Sequence, residues 1–234
     1  MKHKIKVIAF DADDTLWENE PYFLETEQQF CALLEYYLPH HTVSQELFKT
    51  EMSNLQLYGY GVKGFMLCMI ETIYRVSDGK ADLELVNKTI QLGQELLQKP
   101  IILLDGVEEV LNALKGEYRL VVATKGDLLD QERKLKNSGL LDYFHHIEIM
   151  SDKQTGDYAK LLKHLDCAPE NFMMLGNSIK SDVIPVLELQ GFAAHIPYHT
   201  TWAHERHEHK LTHPNFLQLN VITDILTKLV PINT

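Results

Sequence analysis

Val7-Ile8-Ala9-Phe10-Asp11-Ala12-Asp13-Asp14-Thr15-Leu16 is a short apolar run that breaks abruptly into carboxylates and a hydroxyl. Its first half suits a strand covered on both faces, because a buried parallel strand has no solvent side to fill with polar residues. Its second half puts acidic groups where that strand would end. Leu120-Val121-Val122-Ala123 and Phe172-Met173-Met174-Leu175 have the same form, and Ile147-Glu148-Ile149-Met150 is a further short apolar run interrupted by one glutamate. Phe192 to Ile196 reads as a fifth strand.

Helical patterns separate the later runs. Asp105-Gly106-Val107-Glu108 reads as a capping box with Asp105 as N-cap, and Val107, Val110, Leu111 and Leu114 share one face of the helix it opens. A second helix follows Gly126-Asp127 and stops at Ser138-Gly139, with Gly139 at C′. A third runs from Asp157 to Leu165. A fourth runs from near Ser181 to Gln190-Gly191, with Pro185 tolerable only near its first turn. Strand–helix alternation of this kind predicts an α/β fold with a Rossmann-like, doubly wound parallel sheet.

The segment 18–99 breaks the alternation. Pro21 suits the start of a helix, Pro39 ends it, and Thr42-Val43-Ser44 starts another. Gly59, Gly61 and Gly64 mark a joint, and Phe65–Val76 and Asp82–Gln98 read as two more helices. The expectation is a core domain of residues 1–17 and 100–234, interrupted by an all-helical domain of residues 18–99.

In open α/β sheets, ligands bind beyond the carboxyl ends of the strands. The ends here are Asp11 to Thr15, Thr124-Lys125-Gly126-Asp127, Ser151-Asp152-Lys153, and Gly176-Asn177-Ser178 with Asp182. Carboxylates, a hydroxyl, an amine and another carboxylate at successive strand ends make a site for a metal-bound phosphoryl group. Asp11 and Asp182 supply the hard oxygen ligands that Mg²⁺ prefers. Lys153 supplies positive charge, and the Thr124 hydroxyl can hold a phosphoryl oxygen.

Bulk properties narrow the class. The chain has 234 residues and a formal net charge of −11. Such a surface repels nucleic acid and anionic membranes, so a phosphate site must create its own positive field. The three cysteines, Cys31, Cys68 and Cys167, are widely spaced with no CxxC, which disfavours a disulfide framework or a zinc knuckle. The apolar run after Lys2, His3 and Lys4 ends at Asp11, too short for a signal peptide or a membrane span. A cytoplasmic protein is expected.

The sequence resembles the haloacid dehalogenase-like hydrolases. Asp11-Ala12-Asp13-Asp14-Thr15-Leu16 is similar to the family's first motif, Thr124 to its second, Lys153 to its third, and Gly176-Asn177-Ser178 through Asp182 to its fourth. The inserted helices are similar to the type 1 cap of phosphoglycolate phosphatase-like members. The resemblance implies Asp11 as nucleophile, forming an aspartyl phosphate, and Asp13 as general acid and base. It implies Thr124 and Lys153 as stabilisers of the phosphoryl oxygens. It also implies Mg²⁺ held by Asp11, the Asp13 carbonyl, Asp182 and Asn177. The substrate implied is a small phosphorylated metabolite.

The chain departs from the family pattern at Asn177, where Asp is usual, at Gln154, where Pro is usual, and at Lys125, where Asn is usual. Lys125 would contact substrate or pair with a carboxylate; a solvated loop lysine is an equal reading. Trp17 and Tyr22 are candidates for substrate contact or for packing, and Tyr58, Tyr60 and Lys63 for a specificity face. Asp14 and Thr15 read as ordering the turn.

His195, His199, His204, His207, His209 and His213 crowd one segment. His204 and His207 could share a helix face, but Glu205, Arg206, Glu208 and Lys210 make the run look like a solvated face. The rival readings are a 2-haloacid dehalogenase, a phosphoglucomutase-like phosphotransferase and a non-catalytic binding protein on the same scaffold. Asp13 favours a phosphatase over a dehalogenase, because an alkoxide leaving group needs a proton and a halide does not.

Overall fold

The computed structural model describes residues 4–207 and 209–229. Two compact units are present. One comprises the described residues of Met1–Glu20, Ile101–Lys125 and Gln131–Thr234; the other comprises Pro21–Pro100 and Gly126–Asp130.

The first unit is built on β1 (Val7–Phe10), β2 (Arg119–Lys125), β3 (His146–Met150), β4 (Phe172–Gly176), β5 (Phe192–His195) and β6 (Phe216–Gln218). Their order is β3-β2-β1-β4-β5-β6, and every neighbouring pair is parallel. Val7, Ile8, Ala9 and Phe10 pair with Arg119 to Val122 on one side and with Phe172 to Leu175 on the other. Chain order reverses at β1 and β4, so their carboxyl ends flank the crevice where such sheets bind ligands.

Side-chain alternation along each strand feeds two cores. Ile8, Phe10, Leu120, Val122, Met173 and Leu175 point to one face and pack with Val107, Val110, Leu111 and Leu114 of a helix at Val107–Leu114. Val7, Ala9, Val121, Ala123, Phe172 and Met174 point to the other and pack with Tyr158, Leu161 and Leu162 of a helix at Thr155–His164. Full burial on both faces explains why these strands lack polar alternation. Each buried Leu, Ile or Phe contributes about 1.5–3 kcal/mol.

Several local expectations change. The helix at Val107–Leu114 is capped by Gly106 at φ 81°, with no side-chain cap, and not by Asp105. A Cβ on Gly106 would also meet Thr223 Cγ2 at 2.6 Å. Pro39 caps the following helix instead of ending the previous one, which has already stopped at Leu33; the next helix starts at His40, ahead of Thr42. Gly64 lies within a helix, not in the joint, and a Cβ there would meet the Gly59 carbonyl at 2.8 Å. The fourth core helix begins as a π turn, Ile179–Val183, before Ile184–Glu188. Pro185 cannot donate to the Ser181 carbonyl four residues back, and that carbonyl accepts the Tyr158 hydroxyl at 3.1 Å instead.

The second unit contains helices at Glu20–Leu33, whose first residue belongs to the first unit, and at His40–Tyr58, Val62–Val76 and Leu83–Leu97. Phe30, Leu34, Val43, Leu47, Phe65, Met69 and Ile73 form its core. Asp82 caps the last helix by accepting from the Leu85 N–H at 2.8 Å. Gly59 and Gly61, at φ 73° and 103°, make the joint between the second and third helices. Among the described residues, no helix is long and apolar enough to cross a membrane.

Candidate active site

Asp11 leaves β1 with its N–H bonded to the Leu175 carbonyl at 2.9 Å. Its carboxylate is buried, 2.5 Å from Lys153 Nζ, and the same ammonium lies 2.6 Å from Asp182 Oδ1. Burial raises the Asp11 carboxyl to about 7; the Lys153 charge opposes the rise, and Asp182 and Asp13 add to it. Burial alone would lower the Lys153 ammonium, but Asp11 and Asp182 outweigh that and raise it.

Asp182 is held by its own turn. The Ser178 N–H donates to its Oδ2 at 2.9 Å, and its N–H donates to the Ser178 carbonyl at 2.8 Å. Gly176 is required beneath it, because a Cβ there would overlap the Asp182 carboxylate. Asn177 N–H donates to Thr15 Oγ1 at 3.1 Å, and the Asn177 carbonyl faces His195 Nε2 at 3.0 Å. Thr15 thus joins the end of β1 to the end of β4.

Asp13 faces three donors. Trp17 Nε1 and Lys134 Nζ reach its Oδ1 at 2.8 and 3.0 Å, and Gln131 Nε2 reaches its Oδ2 at 2.9 Å. Gln131 Nε2 also lies 3.0 Å from Thr124 Oγ1 and 2.6 Å from the Lys125 carbonyl, while its own Oε1 is buried without a hydrogen-bond partner. Asp14 takes the left-handed conformation at φ 59° and accepts from the Asn19 and Glu20 N–H groups at 2.8 and 3.0 Å. Its side chain therefore orders the turn that carries Asp13.

The structure brings together Asp11, Asp13, Thr124, Lys153, Asn177 and Asp182. Trp17 is 1% exposed, and its indole N–H donates to Asp13. Lys125 pairs with Glu205 at 2.6 Å, which excludes the solvated-lysine reading. Tyr22 belongs to the second unit, with Lys99 Nζ 5.5 Å from its ring centre. Gln154, in place of the usual Pro, donates its N–H to Asp157 Oδ2 at 3.2 Å at the start of the following helix, a bond Pro could not make.

The histidine segment differs from expectation. Its helical part is one short turn, Ala203–Glu205, so His204 and His207 share no helix face. Lys180 Nζ lies 3.1 Å from His204 Nε2. Glu205 is half-buried, not on a solvated face, because Lys125, Ser178 and Ser181 meet it; Glu208 lies outside the described residues.

Gln131, Lys134 and Glu205 were not singled out by sequence reasoning. The i,i+3 spacing of Gln131 and Lys134, on the helix that follows the strand ending in Thr124-Lys125, is a signal that could have found the first two. Glu205 had none, since its partners Lys125 and Ser178 are remote in the chain.

The donor set fits a hard divalent cation. Two buried carboxylates share one ammonium, so a negative charge is left over, and the other donors on hand are an amide and a main-chain carbonyl. Mg²⁺ takes one or two carboxylates and otherwise water and phosphate. Among the described residues, no three His, Cys, Asp or Glu side chains form a metal-binding group.

Residues 5–185 match the model of the haloacid dehalogenase-like hydrolase family. Among solved structures, a haloacid dehalogenase-like hydrolase from Xanthomonas campestris is 36% identical, with a TM-score of 0.84 over 93% of this chain and 87% of that one. A HAD hydrolase from Bacillus subtilis, solved bound to magnesium, is 14% identical with a TM-score of 0.66, over 97% and 99% of the chains. A predicted phosphoglycolate phosphatase from Haemophilus somnus is 17% identical with a TM-score of 0.64, over 96% and 98%. Haloacid dehalogenases share the fold at similar distance. No curated protein matches significantly. With the family model covering most of its length and a relative this similar, the chain belongs to the haloacid dehalogenase-like hydrolases.

Proposed function

We propose that the protein is a Mg²⁺-dependent phosphohydrolase that acts on a small phosphorylated metabolite through an aspartyl phosphate on Asp11. The observation that carries this reading is Asp13, a carboxylate near Asp11 held by Trp17, Gln131 and Lys134. A dehalogenase has no use for a proton donor at that point; a phosphate ester does.

An Asp11 carboxylate oxygen attacks phosphorus, and the bond from phosphorus to the ester oxygen breaks. Asp13 gives its proton to the departing alkoxide. Water then attacks phosphorus, loses a proton to Asp13, and inorganic phosphate leaves as the bond to Asp11 breaks. Lys153 and Thr124 stabilise the equatorial oxygens. Asp11, Asp182, Asn177 and the Asp13 carbonyl would hold Mg²⁺, which supplies positive charge opposite the phosphoryl group. A Bacillus subtilis hydrolase of the same fold was solved bound to magnesium, which supports Mg²⁺ as the cation.

The domain division at 1–17, 18–99 and 100–234 fits the same reading. A helical insertion directly after the nucleophile's strand would act as a cap that sets substrate choice and limits water. A net charge of −11 disfavours nucleic acid as a substrate.

The test is a panel of phosphorylated metabolites with Mg²⁺, with a chelator, and with 2-haloacids as a separate arm. Chelator-sensitive phosphate release without halide release supports the reading. Halide release without phosphate release overturns it.

A further inference from the structure

Glu205 sits in a short turn between β5 and β6, far in sequence from the strand ends, yet its largely buried carboxylate meets residues at the ends of β2 and β4. Its Oε1 accepts from Lys125 Nζ at 2.6 Å. Its Oε2 accepts from the Ser178 hydroxyl and from the Ser181 hydroxyl, the latter at 2.7 Å. Lys125 Nζ also donates to Ser181 Oγ at 2.9 Å, so ammonium, hydroxyl and carboxylate form a closed ring. The Lys125 and Glu205 side chains are 14% and 13% exposed.

Each anchor of the ring adjoins a residue of the proposed site. Lys125 follows Thr124, Ser178 follows Asn177, and Ser181 precedes Asp182. Ser178 is also the residue whose N–H holds Asp182 Oδ2, and its hydroxyl oxygen accepts the Ser181 N–H at 3.0 Å. Nothing in the ring itself is a metal donor in the proposed set. Its carboxylate instead offsets a largely buried lysine charge that stands next to that set. A buried cation without its partner acts strongly on its surroundings, because little water screens it.

We infer that Glu205 is a positioning residue of this site: it neutralises Lys125 and pins the Ser178–Ser181 turn, which sets Mg²⁺ affinity at Asp182. The inference rests on the proposed function. It also assigns Lys125, where the family usually has Asn, to the ring and not to the substrate. The carboxyl group agrees with this: burial would raise it, but Lys125 and the two hydroxyls hold it down to about 2, so it stays charged at neutral pH.

Glu205→Gln keeps one acceptor oxygen for the hydroxyls, and removes the charge together with the acceptor that meets Lys125. Three quantities are compared in wild type, Glu205→Gln, Glu205→Asp and the charge-neutral pair Lys125→Met/Glu205→Gln. They are the Mg²⁺ dissociation constant by calorimetry without substrate, the thermal unfolding midpoint, and kcat and KM on an aryl phosphate. Glu205→Gln is expected to weaken Mg²⁺ binding about tenfold and to lower kcat more than it raises KM. The double variant should regain most of the Mg²⁺ affinity, and Glu205→Asp part of it. This recovery is the readout a merely structural ring would not give, and it survives if Glu205→Gln folds poorly, because the double variant carries no bare charge.

Wild-type Mg²⁺ affinity in Glu205→Gln overturns the inference, as does a double variant that binds Mg²⁺ no better than a poorly binding single one. An active wild type with an unaltered Glu205→Gln overturns this inference alone. A wild type that neither binds Mg²⁺ nor hydrolyses phosphate esters overturns the proposed function and this inference with it.

Discussion

Lys153 Nζ lies 2.5 Å from Asp11 Oδ1, and both groups are buried. The ammonium serves two carboxylates at once, since Asp182 is 2.6 Å away. Removing it would leave two buried carboxyl groups without their shared cation and would raise the Asp11 carboxyl further. Lys153→Met should therefore lower activity on phosphate esters by about a hundredfold or more. It should also destabilise the Mg²⁺-free protein by about 3–5 kcal/mol. Added Mg²⁺ should raise the unfolding midpoint of the variant more than that of wild type. A variant with wild-type stability and turnover would contradict the placement of Lys153 in the site.

Asp13 is held by Trp17, Gln131 and Lys134, all of them donors. As the group that protonates the leaving oxygen, it matters most where that oxygen is a poor leaving group. Asp13→Asn should slow alkyl phosphate hydrolysis by about a hundredfold or more, and aryl phosphate hydrolysis less. Trp17→Phe removes the indole N–H, together with ring volume at a buried site, and should show the same ordering with smaller losses. Equal losses on alkyl and aryl esters, measured by initial rates, would remove the leaving-group role.

Gly176 lies directly under Asp182. In Gly176→Ala the new methyl group must displace the carboxylate or the turn that carries it. Mg²⁺-dependent activity should fall by about a hundredfold, with a stability cost of about 1–3 kcal/mol for the overpacked site. An alanine variant with wild-type Mg²⁺ dependence would show that the turn moves aside without cost.

Burial lifts Asp11 to about 7, against the Lys153 charge, and lifts Asp14 to about 8, against its backbone donors. Both folded values lie above the unfolded reference of 3.8. The folded state therefore binds more protons than the unfolded state between these limits, and stability falls as pH rises. Urea unfolding of the Mg²⁺-free protein should show a loss on the order of a few kcal/mol from about pH 5 to about pH 8.5. Asp14→Asn should flatten part of that slope. Stability that climbs with pH over the same range would contradict the buried state of these carboxyls.

The central strands were legible because burial on both faces leaves no polar residue in Val7–Phe10, Leu120–Ala123 or Phe172–Leu175. β6 was not, because its three residues form a half-exposed edge and its apolar pair, Phe216 and Leu217, is too short to stand out. The Asp105 capping box failed because Gly106 adopts a left-handed conformation that Thr223, remote in sequence, packs against. The strand-end residues could be named because each closes a recognisable run. Glu205 could not, since its burial is set by Lys125 and the Ser178–Ser181 turn, which local pattern does not register. Gln131 lay between these cases: its helix was visible, and the amide's contacts with Asp13 and Thr124 were not.

Covalent phosphorylation of Asp11 is the step that separates this account from a dehalogenase and from a non-catalytic scaffold. A single turnover on an aryl phosphate with Mg²⁺, quenched in acid and read by peptide mass spectrometry, measures it directly. The account predicts the mass of one phosphoryl group on the peptide that carries Asp11, and its loss in Asp11→Asn together with turnover. Full phosphatase turnover by Asp11→Asn, or a phosphoryl group trapped on a different residue, would contradict it.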